Sequence, residues 1–164
     1  MTRSNNLLWG ALALGVVTGM RSMLAPTMVS QALAERSDTP KAGPLTRTLA
    51  AAKTRHLLIP LAASELLGDK LPFAPDRTIV PSMMVRALSG GLTAAALAGA
   101  RRQPAWVPAL IGATAACVSA KIALRLRKRY GRSGAAVNAA LGIAEDSLAL
   151  AIGNAGLKRA LNKD

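Results

Sequence analysis

Aromatic side chains are almost missing from this sequence: two Trp, one Tyr and one Phe make up 2% of 164 residues. A soluble domain of this size normally draws much of its buried area from such rings. Here hydrophobic residues reach 51%, but they are mostly Ala, Leu, Val and Met. Such a core would be thin in water. Surrounded by lipid, small residues have a different use, because they let helix backbones approach closely. Cysteine is scarce too: Cys117 alone excludes an intramolecular disulfide and any cysteine-based zinc site. It sits in an Ala-rich run and reads as a small buried thiol. Acidic residues number 8 against 21 Lys and Arg, for a net charge of +13.

A surplus of that size raises nucleic acid as a partner. The aromatics needed for base stacking are lacking, and the basic residues lie between apolar stretches rather than along one polar face. Anionic phospholipid head groups account for the same surplus, so the expected partners are the lipid bilayer and its anionic lipids, with no nucleic acid. The length allows one domain. Residues 1–164 read as a single integral membrane domain, all-α, a polytopic transmembrane bundle of about five helices, some kinked or broken.

The expected helices are 7–34, 46–68, 79–100, 104–126 and 134–158. No charge falls between Ser4 and Met20, and apolar character resumes after Arg21 as far as Ala34. A secretory signal would explain Arg3, the Leu7–Val17 run and Ala32-Leu33-Ala34, but that cleavage pattern lies too far beyond the apolar run. Glu35 to Pro44 is polar and holds Pro40, Gly43 and Pro44, a surface loop. In the second helix Arg47, Lys53, Arg55 and His56 reach head groups while Leu57 to Leu67 enters the bilayer, with a kink at Pro60. The fourth is the clearest span: Gln103 to Ala120 is 18 residues without a formal charge, with Trp106 as an interfacial anchor. Gly15 with Gly19, and Gly91 with Ala95 and Gly99, repeat the four-residue spacing of packed transmembrane helices.

Five alternating helices put about ten Lys and Arg on one side and about eight on the other, so the positive-inside rule hardly decides orientation. Either the chain has dual topology, as an antiparallel homo-oligomer, or the true helix count differs by one. The expected location is the bacterial inner (cytoplasmic) membrane, multi-pass.

Arg21, Glu65, Arg86, Lys121, Glu145 and Asp146 each fall inside an apolar segment or at its end. One such group at mid-bilayer costs about 2.5 to 3.5 kcal/mol. Six unpaired would cost roughly 15 to 20 kcal/mol, more than the typical whole-domain stability of about 5 to 15 kcal/mol. They must therefore pair, and three are cationic and three anionic. In the fifth helix Asn138, Gly142, Glu145, Ala149 and Gly156 define a small polar face, with Leu141, Leu148 and Ile152 on another suited to lipid. Lys121 and Arg125 share a face of the fourth helix that is expected to meet those acids. Function would make the charged set a polar path or pocket; a purely architectural role would make it a salt-bridge network fixing helix register. The adjacent carboxylates of Glu145 and Asp146 repel each other, which suits a proton or cation relay better than a staple.

His56 is the lone histidine, and no H-E-x-x-H, P-loop, G-x-S-x-G or Cys-His arrangement appears. Neither enzymatic activity nor a cofactor or metal is expected. The leading expectation is a transporter or channel for a small ion or polar solute. The other is a structural or assembly protein whose basic loops bind lipid or a partner.

Glu65-Leu66-Leu67-Gly68-Asp69-Lys70-Leu71-Pro72 resembles the E-x-x-x-D-K-x-P segment of the domain-of-unknown-function 4126 family, small bacterial membrane proteins. Gly19-Met20-Arg21, Arg86 with Gly90 and Gly91, and Ala144-Glu145-Asp146 resemble its other motifs, and Lys121 with Arg125 a further basic pair. The charged Arg36–Arg55 stretch and Phe73-Ala74-Pro75-Asp76 depart from it. The resemblance implies membrane location and a role for the charged set. It implies no substrate. Asp69, Lys70 and Pro72 are expected to shape one mouth of the polar site or a structural turn.

Overall fold

A computed structural model describes residues 3–36, 42–68, 80–130 and 135–162. Among them every regular element is a helix: α1 (Arg3–Met20), α2 (Leu24–Ala34), α3 (Pro44–Ala50), α4 (Ala52–Gly68), α5 (Val80–Ala100), α6 (Trp106–Tyr130) and α7 (Ala135–Leu161). Two of them, α5 and α6 over Trp106–Leu126, are long and apolar enough to cross a membrane.

The expected first helix over 7–34 is two helices. The physical reason is Pro26. A proline has no N–H for the carbonyl four residues earlier, and its ring collides with that carbonyl, so a helix through Pro26 cannot include Ser22 in register. In the first turn of a new helix the same proline costs nothing. The chain accordingly leaves α1 at Met20, turns through Arg21-Ser22-Met23 and starts α2 at Leu24. The released Ser22 carbonyl accepts the hydroxyl of Ser89 at 2.6 Å.

This turn reverses the chain. Along α7, a side chain added at Gly153 would touch Val17 and Met28, one at Gly156 would touch Ala13, and one at Gly10 would touch Ala160. Arg36 Nη1 donates to the Leu161 carbonyl at 3.0 Å. Moving from Gly153 toward the end of α7, therefore, the neighbours on α1 count down while those on α2 count up, and α1 and α2 form an antiparallel hairpin. The second expected helix is also divided: Ala51 adopts extended backbone between α3 and α4, and Thr54 Oγ1 donates to the Thr48 carbonyl across the break at 2.6 Å. Pro60 lies inside α4.

Counting α3 and α4 as one leg, the bundle has six legs in alternating directions, and the start of α1 lies beside the end of α7, where Arg159 Nε donates to Asn6 Oδ1 at 3.2 Å. The five expected helices are thus seven helices in six legs among the described residues.

At the centre stands α1, with α5, α6 and α7 packed round it. The contacts are backbone-close. A Cβ on Gly15 would meet the Gly112 carbonyl and Ala115, and one on Gly19 would overlap Ser119 and the Ala116 carbonyl, so the Gly15/Gly19 spacing serves the α1–α6 interface. In α5 the tightest approaches belong to Gly90 against Gly112 and Gly99 against Thr46, while Gly91 lies more loosely against the Ala109 carbonyl, 3.3 Å from an added Cβ. The buried apolar set is Leu, Val, Met and Ala, with Leu14, Val17, Val29, Leu33 and Leu97 completely enclosed.

Outside, the pattern inverts. Val80, Met84, Leu88 and Leu92 form an exposed stripe down α5; Trp106, Leu110, Val118, Ile122 and Leu126 do the same on α6; Leu57, Ile59 and Leu61 lie exposed on α4. Arg21 and Arg86 are among the buried residues at 1% and 5% exposure.

Candidate functional site at the hairpin tip

Ending α1 frees carbonyls at its C-terminus, and starting α2 frees N–H groups at its N-terminus. Here the carbonyls are buried and the N–H groups part-buried, and both are met by ionised side chains of matching sign. Arg86 of α5 points its guanidinium at the end of α1: Nη1 donates to the carbonyls of Thr18 (3.2 Å) and Gly19 (2.9 Å). Glu65 of α4 takes the start of α2. Its Oε1 accepts the Ser22 N–H (2.7 Å) and hydroxyl (2.8 Å), and its Oε2 accepts the Met23 N–H (2.9 Å). A cation at a helix C-terminus and an anion at an N-terminus each favour the helix dipole by about 0.3 to 1 kcal/mol at a surface, and up to about 2 kcal/mol when partly buried. Arg86 Nη2 lies 3.9 Å from Glu65 Oε1, so the two charges also attract each other.

Arg21, in the turn itself, reaches the other way. Its Nε donates to Asp146 Oδ1 of α7 at 2.6 Å, a charge-assisted bond between a side chain 1% exposed and one 19% exposed. The neighbouring contacts are hydroxyls on main-chain carbonyls: Thr18 Oγ1 to Leu14 (2.8 Å), Ser119 Oγ to Val16 (3.1 Å) and Thr27 Oγ1 to Leu58 (3.2 Å).

Four of the six charged residues singled out in the sequence thus converge on one turn: Arg21, Glu65, Arg86 and Asp146. Glu145 does not join them. Adjacent residues on a helix point about 100° apart. Asp146 therefore shares the inward face of α7 with Ala149, Gly153, Gly156 and Ala160, all four buried, whereas Glu145 faces sideways with Leu141, Ala144 and Leu148. The expected division of α7 is corrected on two counts. Leu141 and Leu148 lie on the same face as Glu145, and Ile152 packs against the core.

Lys121 and Arg125 are exposed on α6, and neither belongs to the Arg21–Asp146 or the Arg86–Glu65 pair. Asp69, Lys70 and Pro72 lie outside the described residues, as does the side chain of Asn138. Among the described residues no group of His, Cys, Asp and Glu is placed to hold a metal ion.

Sequence reasoning missed Ser22 and Ser89, which complete the turn, and Ser119, which holds α6 to α1. The signal for Ser22 was present: a proline four residues after a serine in an apolar run frees that serine's carbonyl. Ser89 carried none, because its partner comes from 67 residues away.

The sideways divergence of α6 and α7 leaves a groove of about 790 Å³ beside α1, lined by Leu12, Val16 and Met20 of α1, residues of α6 from Leu110 to Leu126, and Leu141, Ala144, Glu145 and Leu148 of α7. No protein-family model, no curated protein and no solved structure matches this chain.

Proposed function

We propose that the chain is a multi-pass protein of the bacterial inner membrane, in which the α1–α2 hairpin enters the bilayer from one side and carries a polar site for a small ion or polar solute at its tip. Membrane residence is supported by the inversion of polarity: Arg21 and Arg86 inside, with large Leu, Val, Ile and Met side chains exposed outside on α4, α5 and α6. A solvent that is itself apolar removes the cost of those stripes and raises the cost of a charge facing outward.

The observation that carries the site is the depth of the turn. Arg86 lies about two helical turns inside α5, roughly 10 Å from its first residue, and the apolar part of α6 continues about as far beyond Ser119, to Leu126. If these helices cross the bilayer, the tip with its Arg21–Asp146 pair lies within the hydrocarbon. Non-helical backbone at that depth survives only where protein or water satisfies it, and broken helices of this kind form the ion and substrate sites of many transporters. Affiliation with the domain-of-unknown-function 4126 family belongs to the same proposal, resting on the Glu65–Pro72 segment and the ordered charged motifs.

The purified chain in lipid vesicles is expected to pass protons or monovalent cations, read with dyes enclosed in the lumen. Asp146→Asn should abolish that flux while leaving helical content and monodispersity unchanged. Undiminished flux in a folded Asp146→Asn protein overturns the site.

A second reading has its own support. The hydrogen bonds of Arg86 and Glu65 at the turn go to the Ser22 hydroxyl and to backbone groups of the hairpin, which is how an architectural clamp behaves. On this reading the protein is a scaffold or assembly factor, no ion passes, and replacing Arg21 and Asp146 together by apolar residues of similar size preserves its cellular role.

A further inference from the structure

Burial in this bundle is one-sided. The α1–α2 hairpin fills the centre as far as its tip and no further. Among the described residues none of α4 beyond Ala62 is buried, none of α5 before Arg86, none of α6 beyond Ala120 and none of α7 before Ala149. Enclosure therefore stops, in all four helices, at the level of the turn, which Glu65, Arg86 and Asp146 contact from α4, α5 and α7 while Ser119 and Ala120 of α6 lie against Gly19. Past the turn α5 and the apolar part of α6 run on for roughly 10 Å with no hairpin between them.

Two residues mark the space so left. Gly142 stands one helical turn before Asp146 on the same face of α7, and a Cβ there would meet nothing within 4 Å, whereas Gly153 and Gly156, farther along that face, are tightly covered by α1 and α2. Ser82 stands one turn before Arg86 on α5 and is half-buried.

From this we infer that the tip is the floor of a water-filled vestibule open at one membrane face, the face where α6 ends and α7 begins, and that a hydrophilic solute reaches Glu65 and Asp146 through that water, neither through lipid nor from the opposite face. The carboxylates require such a medium. They are the more exposed partner of each ion pair, 19% for Asp146 and 16% for Glu65, while both guanidiniums are enclosed. Hydrocarbon against an ionised carboxylate is costly, so what these two touch is water. Toward the other face Leu14, Val17, Val29, Leu33 and Leu97 are completely enclosed and form a dry seal. The vestibule presupposes that the tip is a polar site within the bilayer, as in the proposed function, and adds the direction from which that site is filled.

The test follows thiol modification in sealed phosphatidylcholine vesicles holding the full chain with Cys117→Ser and one new cysteine. A charged methanethiosulfonate that cannot lipid is added outside, and the extent of reaction is compared with that reached after a pore-forming peptide opens the vesicles. Gly142→Cys and Ser82→Cys are expected to react completely once the vesicles are open. Before opening, the modified fractions of Gly142→Cys and of Asn162→Cys, at the opposite end of α7, should be complementary whatever the mixture of orientations. Met84→Cys, between Ser82 and Arg86 in sequence but on the exposed outer side of α5, should face lipid and react on the order of a hundredfold more slowly. Helical circular dichroism should be the same in all variants.

Complete modification of Gly142→Cys from outside unopened vesicles, with Asn162→Cys only partly modified, overturns the inference in favour of a path through both faces. Reaction of Gly142→Cys with a lipid-soluble maleimide alone puts acyl chains in the space, and reaction of a folded variant with neither reagent puts protein there; each overturns it. Met84→Cys as reactive as Gly142→Cys places this end of the bundle outside the bilayer, which removes the depth of the site as well. Modification as expected in a chain that passes no ions upholds the vestibule and refutes the flux alone, so the two failures are distinguishable.

Discussion

Compare the two ends of the charged set. At the hairpin tip Arg21 and Arg86 are enclosed, hydrogen-bonded and charge-matched; on the far part of α6 Lys121 and Arg125 are exposed, though they too follow an apolar run. Residue type does not distinguish them. What does is the presence of a helix break. A turn inside a bundle releases carbonyls of negative potential and N–H groups of positive potential, and these must be satisfied where they lie. Arg86 and Glu65 supply the matching charges, and Arg21 is drawn in by Asp146. No break occurs near Lys121, so nothing there repays the burial of a cation.

The contrast can be broken most severely at Arg86. Arg86→Met removes two hydrogen bonds to the end of α1 and leaves Glu65 without its nearby cation, and a loss of about 3 to 5 kcal/mol is expected, enough to prevent recovery of folded protein. Unfolding in mild detergent, followed by circular dichroism against denaturant, checks it. A stable Arg86→Met protein would show that the end of α1 does not need its cap.

Arg21→Met and Asp146→Leu sharpen the same comparison. Each alone removes one charge of the pair from beside its counter-charge and should cost about 1 to 3 kcal/mol, while the double variant should recover most of that stability. Additive losses would mean that the pair is not coupled, and the convergence at the turn would lose its explanation.

Next comes the packing that brings the tip into register. Gly19→Val puts side-chain atoms where Ser119 and the Ala116 carbonyl already sit, so about 1 to 3 kcal/mol should be lost through separation of α1 and α6. Gly142→Val, with open space round it, serves as the control and should change stability only by the small helix-propensity gain of Val over Gly. Equal effects at the two glycines would sink the close-approach argument.

The smallest effect belongs to the outward cations. Lys121→Ala and Arg125→Ala should leave the unfolding midpoint unchanged, because neither side chain is in a buried pair. They should instead weaken adsorption of the chain's basic end to vesicles rich in anionic lipid, by about 1 kcal/mol per charge, measured by co-flotation at low salt.

Much of this was legible beforehand. Fold class followed from apolar stretches of helical length without strand alternation, and the pairing of Arg21, Glu65, Arg86 and Asp146 was anticipated in kind because a charge in an apolar segment must find a counter-charge or a dipole. The partners could not be assigned. Arg21 is 125 residues from Asp146 in sequence, and the choice between Glu145 and Asp146 turns on a rotation of α7 that small residues at 149, 153, 156 and 160 decide only once α1 is there to receive them. The face drawn through Asn138, Gly142 and Glu145 differs from the face α7 buries by about one residue, which is enough to exchange the two acids.

The chain's composition and order by themselves determined a helical bundle of small residues, an excess of basic charge at the helix ends and a break at Pro26. Those properties are local: they depend on covalent structure, on neighbours within a helical turn, and on what surrounds an apolar run. Tertiary structure alone decided that the break is a reversal rather than a kink, that Glu65 and Arg86 meet its two backbone ends, and that Glu145 looks into a groove while Asp146 looks into the bundle. Each of these is a matter of which helices come to lie side by side. That is set by contacts between residues far apart in sequence, whose free energy exists only after the chain has been folded to bring them together.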